Sequence, residues 1–287
     1  MSPHISIKGE TVFEILGFPV TNSFLVTIIV IFLFSFIARY YYQEIQKKDR
    51  SLGFYALHSM FIGMYGMFES VLRSKVTIFY SLLGSFFFFI LMANWSGLIP
   101  GVGSILISPQ VHGSESHEEF VVPADDEIMV VQDSHKGMQV DVEPAHEVET
   151  SKGKHLIPLL RGGTSDLNTT VALALVSVFM TQLYGFKFLG PKKHLLKYFD
   201  FRDPIMLMLG PLEIIQELAR IISFGFRLYG NIFAGEVLLT IVPFLLPVFF
   251  SFISAPLFLI EVYVGLVQAL VFVMLSAVFI NMAVSHH

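Results

Sequence analysis

The sequence predicts an all-α polytopic membrane protein with an N-terminal span, a surface helix, a transmembrane hairpin, two long tilted membrane helices and an acidic extramembrane insertion. The 287 residues are 54% hydrophobic and only 14% charged, whereas about a quarter of an average soluble domain is charged. Several apolar runs reach the ~20 residues that cross a ~30 Å hydrocarbon core. The acidic residues are concentrated in one segment, so the net charge of -5 does not describe the whole surface.

Composition also excludes several classes of function. The chain contains no cysteine, which excludes disulfides, thiolate metal sites and cysteine nucleophiles. Nucleic acid is not an expected partner, and nothing in the sequence indicates a cofactor.

The first span is predicted at residues 22–41, after a polar N-terminal tail at residues 1–21. The tail lacks the basic start, short apolar stretch and small-residue cleavage site of a signal peptide, so we expect the span to be retained. The span ends in an arginine and three tyrosines at residues 39–42, and the basic run 47–50 follows. Basic flanks mark the cytoplasmic side, which predicts that the N-terminal tail lies outside.

The next two apolar segments differ in character. Glycines and charged residues interrupt residues 52–73, which permits a span but favours an amphipathic helix at the membrane surface. Residues 77–98, with four consecutive phenylalanines, are predicted to form a transmembrane helix.

An acidic insertion is predicted at residues 107–163. Between residues 108 and 154 it carries eleven carboxylates against three lysines, and this lack of basic clusters predicts an extracytoplasmic position. Short β-branched runs favour either a hairpin or an irregular segment. A metal site is one interpretation of the four histidines between residues 108 and 154, but their irregular spacing favours solvated loop residues; they are His112, His117, His135 and His146.

The second helix of the hairpin is predicted at residues 166–189. Ser165 or Asp166 can cap it by accepting hydrogen bonds from the free N–H groups of its first turn. A basic cluster at residues 187–197 follows. This cluster and the one at 47–50 agree on one orientation, with both clusters in the cytoplasm and the insertion outside.

Two long apolar segments, at residues 205–242 and 248–284, complete the chain. Each contains ~35 residues, or ~50 Å of helix, which is too long to cross a bilayer upright, so each is predicted to tilt steeply, to lie along the membrane or to break. Pro243, Pro247 and Pro256 favour a turn between them.

Polar side chains interrupt the first of these segments. Each helical residue advances about 100°, so Glu213, Arg220 and Asn231 project within about 40° of Arg227. Glu236 projects about 180° away, on the opposite face.

On the last segment Glu261 and Gln268 are seven residues apart and share one face. If the two segments form an antiparallel hairpin, Gln268 can approach Arg227 while Glu261 lies toward Glu236.

Two interpretations of these polar groups remain open. They are structural hydrogen bonds and ion pairs, as the i, i+3 spacing of Glu217 and Arg220 allows, or they line an ion path, since ionisable groups inside a membrane are costly. An arginine among several acids and amides favours the ion path. Arg227 keeps its charge under burial and cannot relay a proton, whereas a glutamate can.

The residues around Arg227 resemble a known family, subunit a of the F-type ATP synthase. The block RLYGNIFAGE at 227–236 is similar throughout to the family's signature of Arg-Leu-aromatic-Gly-Asn followed by Ala-Gly and an acid. Three further blocks are similar: NWSGLIPG at 94–101, TSDLNTTVALAL at 164–175 and EVYVGLVQALVF at 261–272. The resemblance runs from about residue 77 to the C-terminus, and the acidic insertion departs from it.

The resemblance implies a non-catalytic F0 stator that forms two proton half-channels beside the rotating c-subunit ring and couples proton-motive force to ATP synthesis. Arg227 would match the family's essential arginine. The other implied proton-translocation residues are Asn231, Glu236, Glu261, Gln268, Glu213 and Arg220. A histidine can replace one of Glu236 and Glu261 in the family, so which of them titrates is open here.

The resemblance also implies partners and a location. The partners are the c-subunit ring, a b-subunit peripheral stalk, other F-type ATP synthase subunits, the lipid bilayer and protons. The location is an energy-coupling membrane, expected to be the inner membrane of a bacterial cell. A charged cover over the outer proton entrance is a hypothesis for the insertion.

Other classes fit the sequence less well. A secondary transporter usually has two repeated halves, and none is found. An intramembrane hydrolase would need a nucleophile or metal motif such as H-E-x-x-H or G-x-S-x-G, and neither is present. A purely structural subunit would not depend on the charge of Arg227. Whether sodium replaces protons is open.

Overall fold

We describe residues 9–15, 18–99, 102, 105–107, 157–196, 204–245 and 254–285 in a computed structural model of the chain. Helices dominate these residues, and two short antiparallel strand pairs accompany them. The elements are β1 (Thr11–Ile15), β2 (Phe18–Thr21), α1 (Asn22–Ile45), α2 (Leu52–Leu72), α3 (Val76–Ser96), β3 (Leu106–Ile107), β4 (Ile157–Pro158), α4 (Leu167–Leu189), α5 (Pro191–Leu196), α6 (Pro204–Leu245) and α7 (Ser254–Ser285).

The described chain contains four segments that are long and apolar enough to cross a membrane. They are Asn22–Ile45, Leu52–Ser96, Leu167–Leu189 and Ala255–Val284. The helix α6 adds 42 residues and carries five charged side chains. At ~1.5 Å per residue it is ~63 Å long, about twice the hydrocarbon thickness, which is too long for an upright crossing. The all-α polytopic fold class is confirmed.

The helix α3 packs antiparallel to α7 along its whole length. At one end the side-chain amide of Asn94 donates to the carbonyl of Gly265 at 2.8 Å. At the other end the ammonium of Lys75 donates to the carbonyl of Val284 at 3.4 Å. Buried apolar side chains of α3, among them Phe79, fill the space between these ends.

Two further helices complete this bundle. The ring of Phe79 meets that of Tyr184 on α4 edge to face, with centroids 4.7 Å apart. A buried hydrogen bond of 2.8 Å joins the hydroxyls of Ser177 on α4 and Ser276 on α7. Because α6 packs on both α4 and α7, the last four long helices form one unit.

The helix α2 packs on both α1 and α3, and α1 also packs directly on α3. The hydroxyl of Tyr41 on α1 is 2.9 Å from the Nδ1 atom of His58 on α2, and the hydroxyl of Tyr80 on α3 donates to the carbonyl of Phe61. After α2 the chain turns at Arg73, whose φ of 51° is unusual for a residue other than glycine. The surface position of residues 52–73 stays a prediction.

The segment predicted as a polar tail contains the strand pair β1–β2. It docks on the rest of the chain through Asn22, whose side chain accepts from the backbone N–H of Glu10 at 3.2 Å and donates to the carbonyl of Pro158 at 3.1 Å. Val12 and Val20 are buried in this contact region. Short strands are marginal alone, so docking explains their presence here.

The strands β3 and β4 pair antiparallel and bring together the two sides of the predicted insertion. Residues 108–156, which include the four histidines named above and the eleven carboxylates, lie outside the described residues. Behind β4, Asp166 caps α4 by accepting from the backbone N–H of Asn168 at 3.2 Å, as one of the two predicted capping residues. It also accepts from the hydroxyl of Ser23 at 3.0 Å, which ties the loop to α1.

Candidate functional site

A cavity of about 250 Å³ lies between α3, α6, α7 and the loop that precedes α4. The chain segments around residues 97–102 and 158–165 form much of its wall, and several polar side chains face it. They are Asn94, Arg161, Ser165, Glu236, Thr240 and Glu261. Ionisable groups inside a membrane usually face the protein interior or a water-filled cavity, so this cavity is a candidate functional site.

The antiparallel arrangement of α6 and α7 brings two predicted residues into this cavity, Glu236 and Glu261. The helices meet closely because Gly235 on α6 has no side chain. A Cβ atom built there would overlap the carboxyl group of Glu261. Glu261 therefore lies toward Glu236, as expected for an antiparallel pair of helices.

Glu236 forms an ion pair that sequence reasoning missed. The Nε atom of Arg161 donates to its two carboxylate oxygens at 3.2 and 3.4 Å, and the Nη2 atom donates at 3.4 Å. The arginine side chain is only 6% exposed and the glutamate 39%. Arg161 falls in the segment predicted as the insertion, where a charged residue is expected to be solvated. The sequence feature that could have indicated this ion pair is the position of a basic residue, Arg161, shortly before the capping residue Asp166.

Glu261 has a different environment. It is 7% exposed, and among the described residues no hydrogen bond or ion pair reaches its carboxyl group. Nearby, Asn94 is held by its hydrogen bond to α7, while its Oδ1 atom is buried and has no hydrogen-bond partner among the described residues. The cavity thus combines one paired carboxylate, one unpaired carboxylate and one unused acceptor.

Arg227 lies outside this cavity, on the exposed side of α6. Its Nη2 atom is 3.4 Å from the hydroxyl of Ser223, one turn away. On its other side, a small void is shared with Gln268 of α7, which agrees with the predicted approach of these two residues. Asn231 is also exposed, one turn further along α6.

Toward the N-terminal end of α6 a second charged group is found. Arg220 donates to Glu217 at 3.1 Å, and its guanidinium carbon lies 3.8 Å from the ring centroid of Phe279 on α7. Glu213 is half-buried two turns before Arg220. The Glu217–Arg220 pair has the geometry of the structural ion pair that its spacing permits.

Polar positions therefore lie on both sides of Arg227 along α6. At ~1.5 Å per residue, Glu236 is ~14 Å away in one direction and Glu213 is ~21 Å away in the other. No group of three or more histidine, aspartate or glutamate side chains in the described part of the chain could hold a metal ion.

Membrane-length helices that carry ionisable side chains at separate positions along the chain define an integral membrane protein. The sequence pattern of one such family, "ATP synthase A chain", matches residues 20–281. The chain belongs to this family.

Individual relatives carry the corresponding name. A protein called ATP synthase subunit a from Desulforamulus reducens is 40% identical over 136 residues, which are 46% of this chain and 50% of that protein. One of the same name from Desulfotalea psychrophila is 41% identical over 133 residues, or 46% and 53% of the two chains. The protein called ATP synthase subunit a 2 from a Bradyrhizobium species is 29% identical over 228 residues, or 79% and 73%. The chain spans about half the length of the first two relatives.

Proposed function

We propose that this chain is the stator subunit of an F-type ATP synthase F0 sector, and that it conducts protons through two half-channels beside a rotating c-subunit ring. It makes no ATP itself, because that reaction belongs to the F1 sector. Its other partners are a b-subunit peripheral stalk and the remaining subunits of the complex. Family membership supports this proposal.

One observation carries the proposal. Arg227 occupies the exposed face of α6, while the cavity with Glu236 and Glu261 lies on another face of the same helix. A stator needs this separation, because the fixed charge must meet the ring while a hydrated path leads to it from one side.

In the uptake step, protons reach the ring through the cavity that Glu236 and Glu261 line. They neutralise a carboxylate on a c subunit, which can then enter lipid, where an ionised group would be too costly. The ring turns because only the neutral acid can leave the stator.

In the release step, the acid returns to Arg227 from the other side. The positive charge of Arg227 favours the ionised carboxylate on the ring and so favours loss of its proton. The second half-channel carries this proton away past Glu213. Asn231 and Gln268 supply polar groups beside Arg227, and Arg220 shapes the wall on the release side.

The energy comes from the membrane potential and the proton gradient. Each elementary charge that crosses is worth about 2.3 kcal/mol per 100 mV, so several protons are needed for each ATP. The arginine also prevents direct passage between the half-channels, since it remains charged under almost any burial.

The proposal includes an orientation. The N-terminal tail, the insertion and the cavity face the extracytoplasmic side, and the end of α6 near Glu213 faces the cytoplasm. The membrane is an energy-coupling one, the inner membrane of a bacterial cell.

Disulfide cross-linking tests the contact with the ring, and the absence of natural cysteines makes it straightforward. Ser223→Cys, on the exposed face of α6, is paired with cysteines scanned along the outer helix of the c subunit. Phe32→Cys, at a residue of α1 that is 72% exposed, is the matched control. Cross-links from position 223 and none from position 32 are expected; the reverse pattern would refute a stator that presents α6 to the ring.

A further inference from the structure

The first turn of α1 is bound to both ends of residues 158–166, the segment before α4 that we call the loop wall of the cavity. The contacts come from Asn22 and Ser23, the first two residues of α1, which are both fully buried. Resting on the proposed proton path, we propose that Asn22 and Ser23 are positioning residues that hold the loop wall in place. The strand pair β1–β2 covers them, which gives the N-terminal tail a function in proton entry.

One end of the loop wall is bound by Asn22. The Nδ2 atom of Asn22 donates to the carbonyl of Pro158 at 3.1 Å. Its Oδ1 atom accepts from the backbone N–H of Ser23 at 2.9 Å and from that of Glu10 at 3.2 Å. A side-chain amide offers both donors and an acceptor, and three hydrogen bonds fix its orientation here. The amide therefore holds Pro158 close to the start of α1.

The other end of the loop wall is bound by Ser23. The hydroxyl of Ser23 donates to the Oδ2 atom of Asp166 at 3.0 Å, while the Oδ1 atom of Asp166 accepts from the backbone N–H of Asn168 at 3.2 Å. This carboxylate thus joins α1 to α4. Between the two ends, a Cβ atom built on Gly163 would lie 2.9 Å from the Oγ1 atom of Thr27. The middle of the loop wall therefore also rests on α1.

The N-terminal tail covers these hydrogen bonds. A Cβ atom built on Gly9 would lie 2.7 Å from the hydroxyl oxygen of Ser23 and 3.2 Å from the Oδ2 atom of Asp166. The carbonyl of the next residue, Glu10, accepts from the backbone N–H of Asn22 at 3.0 Å. Hydrogen bonds are electrostatically stronger inside a protein than in water, so the cover stabilises the contact between α1 and the loop wall.

The loop wall needs this support because residues 159–162 belong to no helix or strand. Irregular segments with few buried contacts open more easily than helices. Five residues of the loop wall line the cavity, namely Pro158, Leu160, Arg161, Gly162 and Ser165. An outward movement of this segment would change the position of the cavity groups and of the water between them, and small misplacements of reacting groups slow their reactions.

The test uses the purified whole complex in lipid nanodiscs, where both membrane surfaces are open to the solution. Ile232→Cys places a thiol at a 7% exposed position that lines the cavity, in a chain without natural cysteines. We compare the rate at which a hydrophilic methanethiosulfonate reagent modifies this chain when Ser23→Ala, Asn22→Leu or Gly9→Ala is added. Ser35→Ala, which removes an exposed serine hydroxyl from the same helix, is the matched control.

Each of the three variants is expected to raise the modification rate about tenfold, because the loop wall opens more often; Ser35→Ala keeps the parent rate. Acidification of inverted vesicles per assembled complex is expected to fall about threefold in Ser23→Ala. A contact that serves only stability would lower the thermal stability of the complex and leave the modification rate unchanged. That outcome in Ser23→Ala and Gly9→Ala overturns the proposal. Ser23→Ala removes a single oxygen atom, so the test does not depend on assembly of Asn22→Leu.

The result can be separated from the fate of the proton path, because thiol modification does not require proton transport. Acidification that survives Arg227→Ala rejects the proposed function, whatever the modification rates are. Loss of acidification in Arg227→Ala, together with unchanged modification in Ser23→Ala and Gly9→Ala, rejects only the positioning role of the first turn of α1.

Discussion

The backbone of Gly235 on α6 lies directly against the carboxyl group of Glu261 on α7, so closely that even a methyl group at Gly235 would overlap the carboxyl. The glycine therefore makes room for the glutamate. It also lets the two longest helices approach at the level of the cavity, in the way that small residues promote helix packing in membranes.

Gly235→Ala is expected to lower proton flux about tenfold, because the added methyl group pushes the Glu261 carboxyl out of its position and a small misplacement of a reacting group has large effects on rate. Alanine in place of glycine otherwise favours a helix by about 1 kcal/mol, so a loss cannot come from helix propensity. ATP-driven vesicle acidification per assembled complex measures the effect.

Gly66→Ala is the matched control for this prediction. Gly66 also lies within a helix, and a Cβ atom built there meets nothing within 4 Å. Equal rates for Gly235→Ala and Gly66→Ala would mean that the position of the Glu261 carboxyl does not limit proton flux.

Arg220→Lys is expected to loosen the contact between α6 and α7, since lysine keeps the charge but lacks the planar guanidinium that stacks on Phe279. The loss should be about 0.5–2 kcal/mol, and a double-mutant cycle with Phe279→Leu on the thermal stability of the complex measures it. Arg50→Lys, which removes a similar stack on Phe54, is the control.

Proton flux separates the two roles that Arg220 can have. If the role of Arg220 is only structural, acidification per assembled complex is expected to be nearly unchanged in Arg220→Lys. A fall as deep as that of Arg227→Ala would place Arg220 in the proton path and contradict the structural interpretation of its pair with Glu217.

Much of the fold follows from the sequence, because membrane helices have a simple signature. Length and apolar character predict a helix at 166–189, and the structure has Leu167–Leu189. Residue spacing along the axis predicts which side chains lie at the same level once two helices are taken as antiparallel. With that assumption it places Glu261 near the level of Glu236 and Gln268 near that of Arg227.

Arg161 could not be assigned in this way. It lies in an irregular loop, where no periodicity indicates a direction, and its partner is 75 residues away in the chain. The strands of the N-terminal tail could not be predicted from the sequence for a related reason. Their stability depends on docking through Asn22 to the segment around Pro158, which no local pattern reveals.

The proposed function depends most on the charge of Arg227, and one measurement tests this dependence most directly. ATP-driven acidification of inverted vesicles is compared for the complex with the parent chain and with Arg227→Ala, at equal assembly and without added sodium. The account predicts acidification with the parent chain and none with Arg227→Ala. Equal acidification by both would show that Arg227 is only structural and would contradict the proposed path.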